Sequence, residues 1–149
     1  MTLTWTTKPY AALAVPELYA LLQLRNAVFV VEQACAFQDI DGLDAGAHHL
    51  LAHTAPGELV AYARLFPAGC SYPEASIGRV AVAPGFRRHG LGRQLMRQAL
   101  TECARLWGPL PIRIGAQLYL HEFYRGFGFE QQGAMYLEDD IEHIYMLRR

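Results

Sequence analysis

The chain is poor in lysine and cysteine and has no long apolar run. Lys8 is its only lysine; every other basic residue is an arginine, and these concentrate between Arg79 and Arg113. A phosphate loop of the Gly-x-x-x-x-Gly-Lys-Ser/Thr kind is thereby excluded. The three cysteines, Cys35, Cys70 and Cys103, are odd in number and widely spaced. They form no disulfide framework and point to a reducing, cytoplasmic setting. The longest apolar runs fall far short of the ~20 residues of a membrane-spanning helix, so no membrane association is expected. The first residues carry no basic stretch followed by an apolar one, so a secretory signal is not expected either. A formal net charge of −1 gives no general attraction to nucleic acid. Cys35, His48, His49 and His53 lie close in sequence, but none of their spacings is that of a zinc site, and no metal is expected.

A length of 149 residues, 52% of them hydrophobic, suits one domain spanning 1–149. No linker, repeat or low-complexity segment divides it. Leu3 to Trp5 reads as a strand. Pro16 suits the first turn of a helix whose apolar stripe is Leu18, Leu21, Leu22, Val28 and Phe29. Cys35 to Ala47, rich in Asp and Gly, reads as loop. His48 to His53 and Leu59 to Phe66 read as strands paired across Thr54–Glu58. Ser76 to Val82 is a further strand, and Leu91 to Ala104 a helix repeating apolar residues at Leu91, Leu95, Ala99 and Cys103. Gly108-Pro109-Leu110-Pro111 stops that helix. A strand from Ile112 to Ala116, a short helix from His121 to Phe127 and two strands after Phe129 complete a mixed α/β order.

Between the strand ending at Val82 and the helix opening at Leu91 lies Arg87-Arg88-His89-Gly90-Leu91-Gly92-Arg93. Such a turn aims backbone N–H groups and the positive end of a helix dipole at one point. Arginines add charge and paired donors. The receptor this makes suits a phosphate or pyrophosphate. It is not a dinucleotide fingerprint, because the position three after Gly92 is Leu95 and the turn does not follow the first strand of a βαβ unit.

What remains, Arg87-x-x-Gly90-x-Gly92, resembles the pyrophosphate loop of the Gcn5-related N-acetyltransferases (GNAT), with Val80-Ala81-Val82-Ala83-Pro84 similar to that family's fourth strand and its exit. His121-Glu122-Phe123-Tyr124-Arg125-Gly126-Phe127-Gly128-Phe129 resembles the second signature, a short helix bearing Tyr before a Gly-Phe turn. Val31-Glu32-Gln33-Ala34-Cys35, Asp39-Ile40-Asp41-Gly42, Ile77-Gly78-Arg79-Val80, Gly115-Ala116-Gln117 and Tyr136 to His143 are similar to an ElaA-like subgroup. The resemblance spans about Leu18 to Met146. It implies the acyl-CoA N-acyltransferase fold, a mostly antiparallel sheet of six to seven strands flanked by helices. It also implies transfer of an acetyl group from acetyl-CoA to an amine of a small molecule or peptide, with no metal and with a homodimer as a common assembly.

The same resemblance assigns coenzyme binding to the backbone of Val80, Ala81 and Val82 and to Arg87, Arg88, His89, Gly90, Leu91, Gly92 and Arg93. Tyr124 becomes the general acid for the leaving thiolate. The general base stays open among Glu32, Glu138 with Asp139, and His143, the last having the ordinary pKa for the task. Gln33, Arg79, Gln117 and Asp139 are candidate acceptor contacts, with Arg79 expected to pair with Glu32 or Glu138. The loops Cys35 to His48 and Tyr136 to His143 are expected to form an acidic rim favouring a cationic amine. A nucleic-acid module using Arg87 to Arg105 as a recognition helix is opposed by the near-neutral charge and acidic C-terminal region. A non-catalytic coenzyme A sensor of the same fold is the remaining alternative.

Overall fold

The computed structural model describes residues 2–149. Its strands are β1 (Leu3–Pro9), β2 (His48–Thr54), β3 (Leu59–Phe66), β4 (Ala75–Val82), β5 (Ile112–Gln117), β6 (Glu130–Glu138) and β7 (Ile141–Arg148). Its helices are α1 (Val15–Arg25), α2 (Leu91–Trp107) and α3 (His121–Arg125). All seven strands join one sheet in the order β1-β2-β3-β4-β5-β7-β6, antiparallel except where β4 meets β5. The mixed α/β order expected from the sequence is the order found.

Alternation along the strands sends side chains to two faces. Leu50, Ala52, Ala61, Ala63 and Leu65 point to one, where α2 covers them with Leu91, Leu95, Met96, Ala99 and Cys103. Leu51, Tyr62 and Ala81 point to the other, beneath Leu21, Leu24 and Val28. The stripe expected on α2 is the one it buries, with Met96 added. On α1 the buried set is Leu21, Leu24 and Arg25 rather than Leu18 and Leu22. A charged residue thus occupies the apolar stripe. The helix begins with Pro16 in its first turn and Glu17 accepting from the Ala14 N–H at 2.8 Å. It continues into a wider π-type turn over Asn26–Glu32.

Two features open the middle of the sheet. In β4, Arg79 and Val80 together face the single Ala63 of β3, because the register passes from Arg64↔Gly78 to Tyr62↔Ala81. This is a β-bulge, and Arg79 carries it with φ of +49°. The parallel contact between β4 and β5 comprises only Ala75↔Ile112 and Ser76↔Arg113. Beyond Ser76 the two strands part. At the far edge, β6 loses register with β7 between Gln132 and Tyr136, where Gly133 has φ of +78°.

Candidate active site

The parted strands form the walls of a cleft of about 770 Å³. Ile77 to Val80 and Val82 of β4 line one wall and Ile114 to Gln117 of β5 the other. The turn before α2 closes one end, and the β6–β7 turn with the end of the π-type turn closes the opposite end.

At the first end the chain leaves β4 through Pro84–Phe86 and reverses at Arg88 and Gly90, with φ of +71° and +72°. The first bond of α2 runs from the Gln94 N–H to the Gly90 carbonyl. The N–H groups of Leu91, Gly92 and Arg93 precede that bond and have no partner within the helix. All three residues line the cleft together with Arg88. A Cβ on Gly92 would lie 3.9 Å from the Phe123 ring, an ordinary contact distance. Arg87 is held differently: its Nε donates to the Val82 carbonyl at 3.1 Å, and its Nη2 donates to Glu32 at 2.8 Å. That pairing holds the Glu32 carboxyl below its usual range, against the small opposing effect of burial. Glu32 is therefore occupied as an ion-pair partner, which weighs against its use as a base.

Tyr124 enters the cleft from α3 and is only 7% exposed. Burial, with Tyr119 nearby, pushes its phenol up to about 12. No hydrogen bond to its hydroxyl is made among the described residues. The ring is fixed edge-on against Phe123 and Phe129, at 5.1 and 6.0 Å between centroids.

At the second end, His143 is nine-tenths buried. Its Nδ1–H donates to the Ile141 carbonyl at 2.7 Å, leaving Nε2 as the acceptor nitrogen, 3.5 Å from the Glu138 carboxylate. Tyr136 stacks on the imidazole at 5.8 Å. Gln117 donates to Gln33 at 3.3 Å across the cleft. The turn at Asp139 and Asp140, both with positive φ, is tied to the opposite wall by a long contact from the Cys35 thiol to the Asp139 carbonyl at 3.8 Å.

The cleft thus gathers Glu32, Gln33, Arg79, Val80, Val82, Arg87, Arg88, Gly90 to Arg93, Gln117, Tyr124, Glu138, Asp139 and His143. Ala81 and His89 lie outside it. The Ala81 side chain packs under α1, and His89 is exposed. Arg79 does not make the pairing with Glu32 or Glu138 expected from the sequence. Its Nε lies 2.7 Å from Asp39 and its Nη2 3.3 Å from Asp41, because the bulge turns it toward the loop after α1. That loop is no acidic rim. Arg25, fully buried, binds Asp39 at 2.9 Å and Asp44 at 2.6 Å, and Arg64 binds Asp41 at 2.8 Å and Asp44 at 3.0 Å. His49, buried beside them, lies 2.7 Å from the Tyr62 hydroxyl and 3.0 Å from the Asp44 carbonyl. Sequence pattern missed this network, since Arg25 reads as a helix-end cation and the aspartates as loop residues. Their only signal was an excess of Asp in one short loop.

Residues 18–149 match the profile of the family described as Acetyltransferase (GNAT) domain. Among curated proteins, the chain is 44% identical to Protein ElaA of Escherichia coli (strain K12) over 145 residues, covering 97% of this chain and 95% of that one. The structure superposes on an acyl-CoA N-acyltransferase from Pseudomonas aeruginosa with a TM-score of 0.95 and 47% identity, covering 99% and 100% of the two chains. A GNAT family acetyltransferase from Elizabethkingia anophelis with acetyl-CoA bound shares the fold alone, at a TM-score of 0.69 and 18% identity over 98% of this chain and 97% of that one.

Proposed function

The chain belongs to the GNAT acetyltransferase family, and on that premise we propose that it is a cytoplasmic acetyl-CoA-dependent N-acetyltransferase acting on a small-molecule or peptide amine. The observation that carries this reading is the open interval between β4 and β5, with a phosphate-type loop at one end and a buried tyrosine and histidine facing into it. Acetyl-CoA supplies an acetyl thioester at the end of an amide-bearing arm and a diphosphate. The residues present fit both parts. The diphosphate matches the free N–H groups of Leu91, Gly92 and Arg93 and the Arg88 cation. The arm matches β4 beyond Ser76, where β5 no longer pairs with it and an extended chain is received as an added strand.

His143 is the proposed base. Its Nδ1–H is anchored on the Ile141 carbonyl, so Nε2 presents a lone pair to an incoming ammonium, with Glu138 beside it to offset the imidazolium charge. The neutral amine nitrogen forms the new N–C bond as the C–S bond breaks, and the departing sulfur takes up negative charge. Tyr124 faces that charge with a hydroxyl that keeps its proton at neutral pH. With its phenol near 12, Tyr124 is a weaker acid than a free thiol of pKa about 8.5. It would therefore act as a hydrogen-bond donor to sulfur, passing on a proton only as it regains one from the acceptor nitrogen, which must shed its second proton to become an amide.

Calorimetry with acetyl-CoA, followed by thiol release in the presence of primary amines, tests the reading. Heat of binding and amine-dependent thiol release are expected. Binding with no release for any amine would leave a coenzyme-binding protein without this catalysis, and absent binding would remove the reading altogether.

A further inference from the structure

We propose that the acceptor is a primary amine with a second positive charge a short aliphatic chain away and no carboxylate near the reacting nitrogen. This deepens the reading above and rests on it. The cleft's charges are divided between its ends. Arg88 and Arg93 stand at the phosphate loop. The other two arginines that reach the cleft are neutralised in place: Arg87 by Glu32, and Arg79 by Asp39 and Asp41. Among the described residues no free cation lines the acceptor end to receive a substrate carboxylate.

The acceptor end is instead acidic without compensation. Glu138 and Asp139 line it, with Asp140 and Glu142 on the same hairpin. Among the described residues no arginine or lysine pairs with any of the four; the one contact is that between Glu138 and His143. The second, independent sign of a ligand is His143 itself. It is nine-tenths buried, its Nε2 meets only the Glu138 carboxylate, at 3.5 Å, among the described residues, and it lines the same cleft as the equally buried Tyr124, whose hydroxyl makes no hydrogen bond among them. The stack of Tyr145 on Tyr136 at 4.5 Å, and of Tyr136 on His143, fixes the imidazole from behind. Asp139 and Asp140 lie three to four residues up the hairpin from His143, roughly 10–13 Å along the backbone at the rise of a strand, with Glu138 nearer, 3.5 Å from the His143 Nε2. A reacting nitrogen at His143 therefore leaves a distal cation, one short chain away, at the carboxylates of the turn.

The test compares kcat/KM for 1,4-diaminobutane, 1-aminobutane and 4-aminobutanoate, measured as thiol release at saturating acetyl-CoA. Two carboxylates at salt-bridge strength predict about a tenfold preference for the diamine over the monoamine, with 4-aminobutanoate slowest. Asp139→Asn with Asp140→Asn removes both charges while keeping residues that tolerate the positive φ of these positions. That variant should lower the diamine-to-monoamine ratio about fivefold or more, and raised salt should lower it in the native protein. A monoamine as good as the diamine, 4-aminobutanoate as the best acceptor, or an unchanged ratio in the variant would overturn the proposal. If calorimetry registers acetyl-CoA but none of the three amines releases thiol, this acceptor class is wrong and the coenzyme site stands. If acetyl-CoA does not bind, the underlying reading fails and takes the acceptor class with it.

Discussion

Tyr124 is placed by packing rather than by polar contacts, which makes its removal interpretable. Phe in its place keeps the ring between Phe123 and Phe129 and deletes only the hydroxyl. Tyr124→Phe should cut turnover about tenfold or more while leaving coenzyme A affinity nearly intact; unchanged kcat by thiol release would take the residue out of the chemistry. The raised phenol makes a separate prediction. A tyrosine at its ordinary value would begin to lose its proton near pH 9–10, whereas this one keeps it to about 12. The kcat–pH profile should therefore show no fall between roughly pH 8 and 10 that the Phe variant lacks. Single residues were unevenly legible in the sequence. Tyr124 and the glycines of the turn stand in local motifs, and they line the cleft. The partners of Arg79 are forty and thirty-eight positions away and depend on a bulge, which no local pattern announces.

At the scale of elements, α1 and the loop after it are joined by charge. Arg25 sits in the helix's buried stripe and holds Asp39 and Asp44, while Arg64 and Arg79 reach the same loop from β3 and β4. Replacing Arg25 by Met leaves Asp39 with Arg79 alone and Asp44 with Arg64 alone, three buried or half-buried carboxylates against two cations, and unfolding by denaturant should show a loss of about 3–5 kcal/mol. Burial alone would raise the Asp41 carboxyl, but hydrogen bonds from Arg64 and the Leu43 N–H, with the charges of Arg64 and Arg79, bring it to about 2. Its unfolded value of 3.8 is higher, so the stabilisation is present above that pH and disappears as pH falls from 3.8 toward 2. Allowing for its partial exposure, Asp41 contributes on the order of 1–2 kcal/mol, visible as a falling Tm across that window. Periodicity located the inner strands β2 to β5 and helix α2, which bury one face or both on a regular repeat. It did not locate Arg25 inside a stripe, since hydrophobic spacing carries no sign of a buried ion pair. The Asp-rich loop was legible as loop and misjudged in role, because three arginines from three elements converge on it only after folding.

For the molecule as a whole, a sheet parted in its centre is incomplete without a guest. Coenzyme A bound only to the folded chain should stabilise it by about 2.7 kcal/mol at a hundredfold excess over Kd. For a chain of this size that raises Tm by roughly 5–10 °C, measurable by calorimetric scanning. The same reasoning separates the sheet's rims from its interior. A strand that ends a sheet ordinarily invites a stranger's backbone to dock there, the first step toward clumping. Here β6, the last strand on its side, is crooked over Gly133 to Met135, and β1 on the other side finishes at Pro9, which offers no N–H. The molecule has blunted its outer margins and kept the open backbone of β4 indoors, so it can welcome an extended amide chain as a visitor without becoming sticky to its own kind.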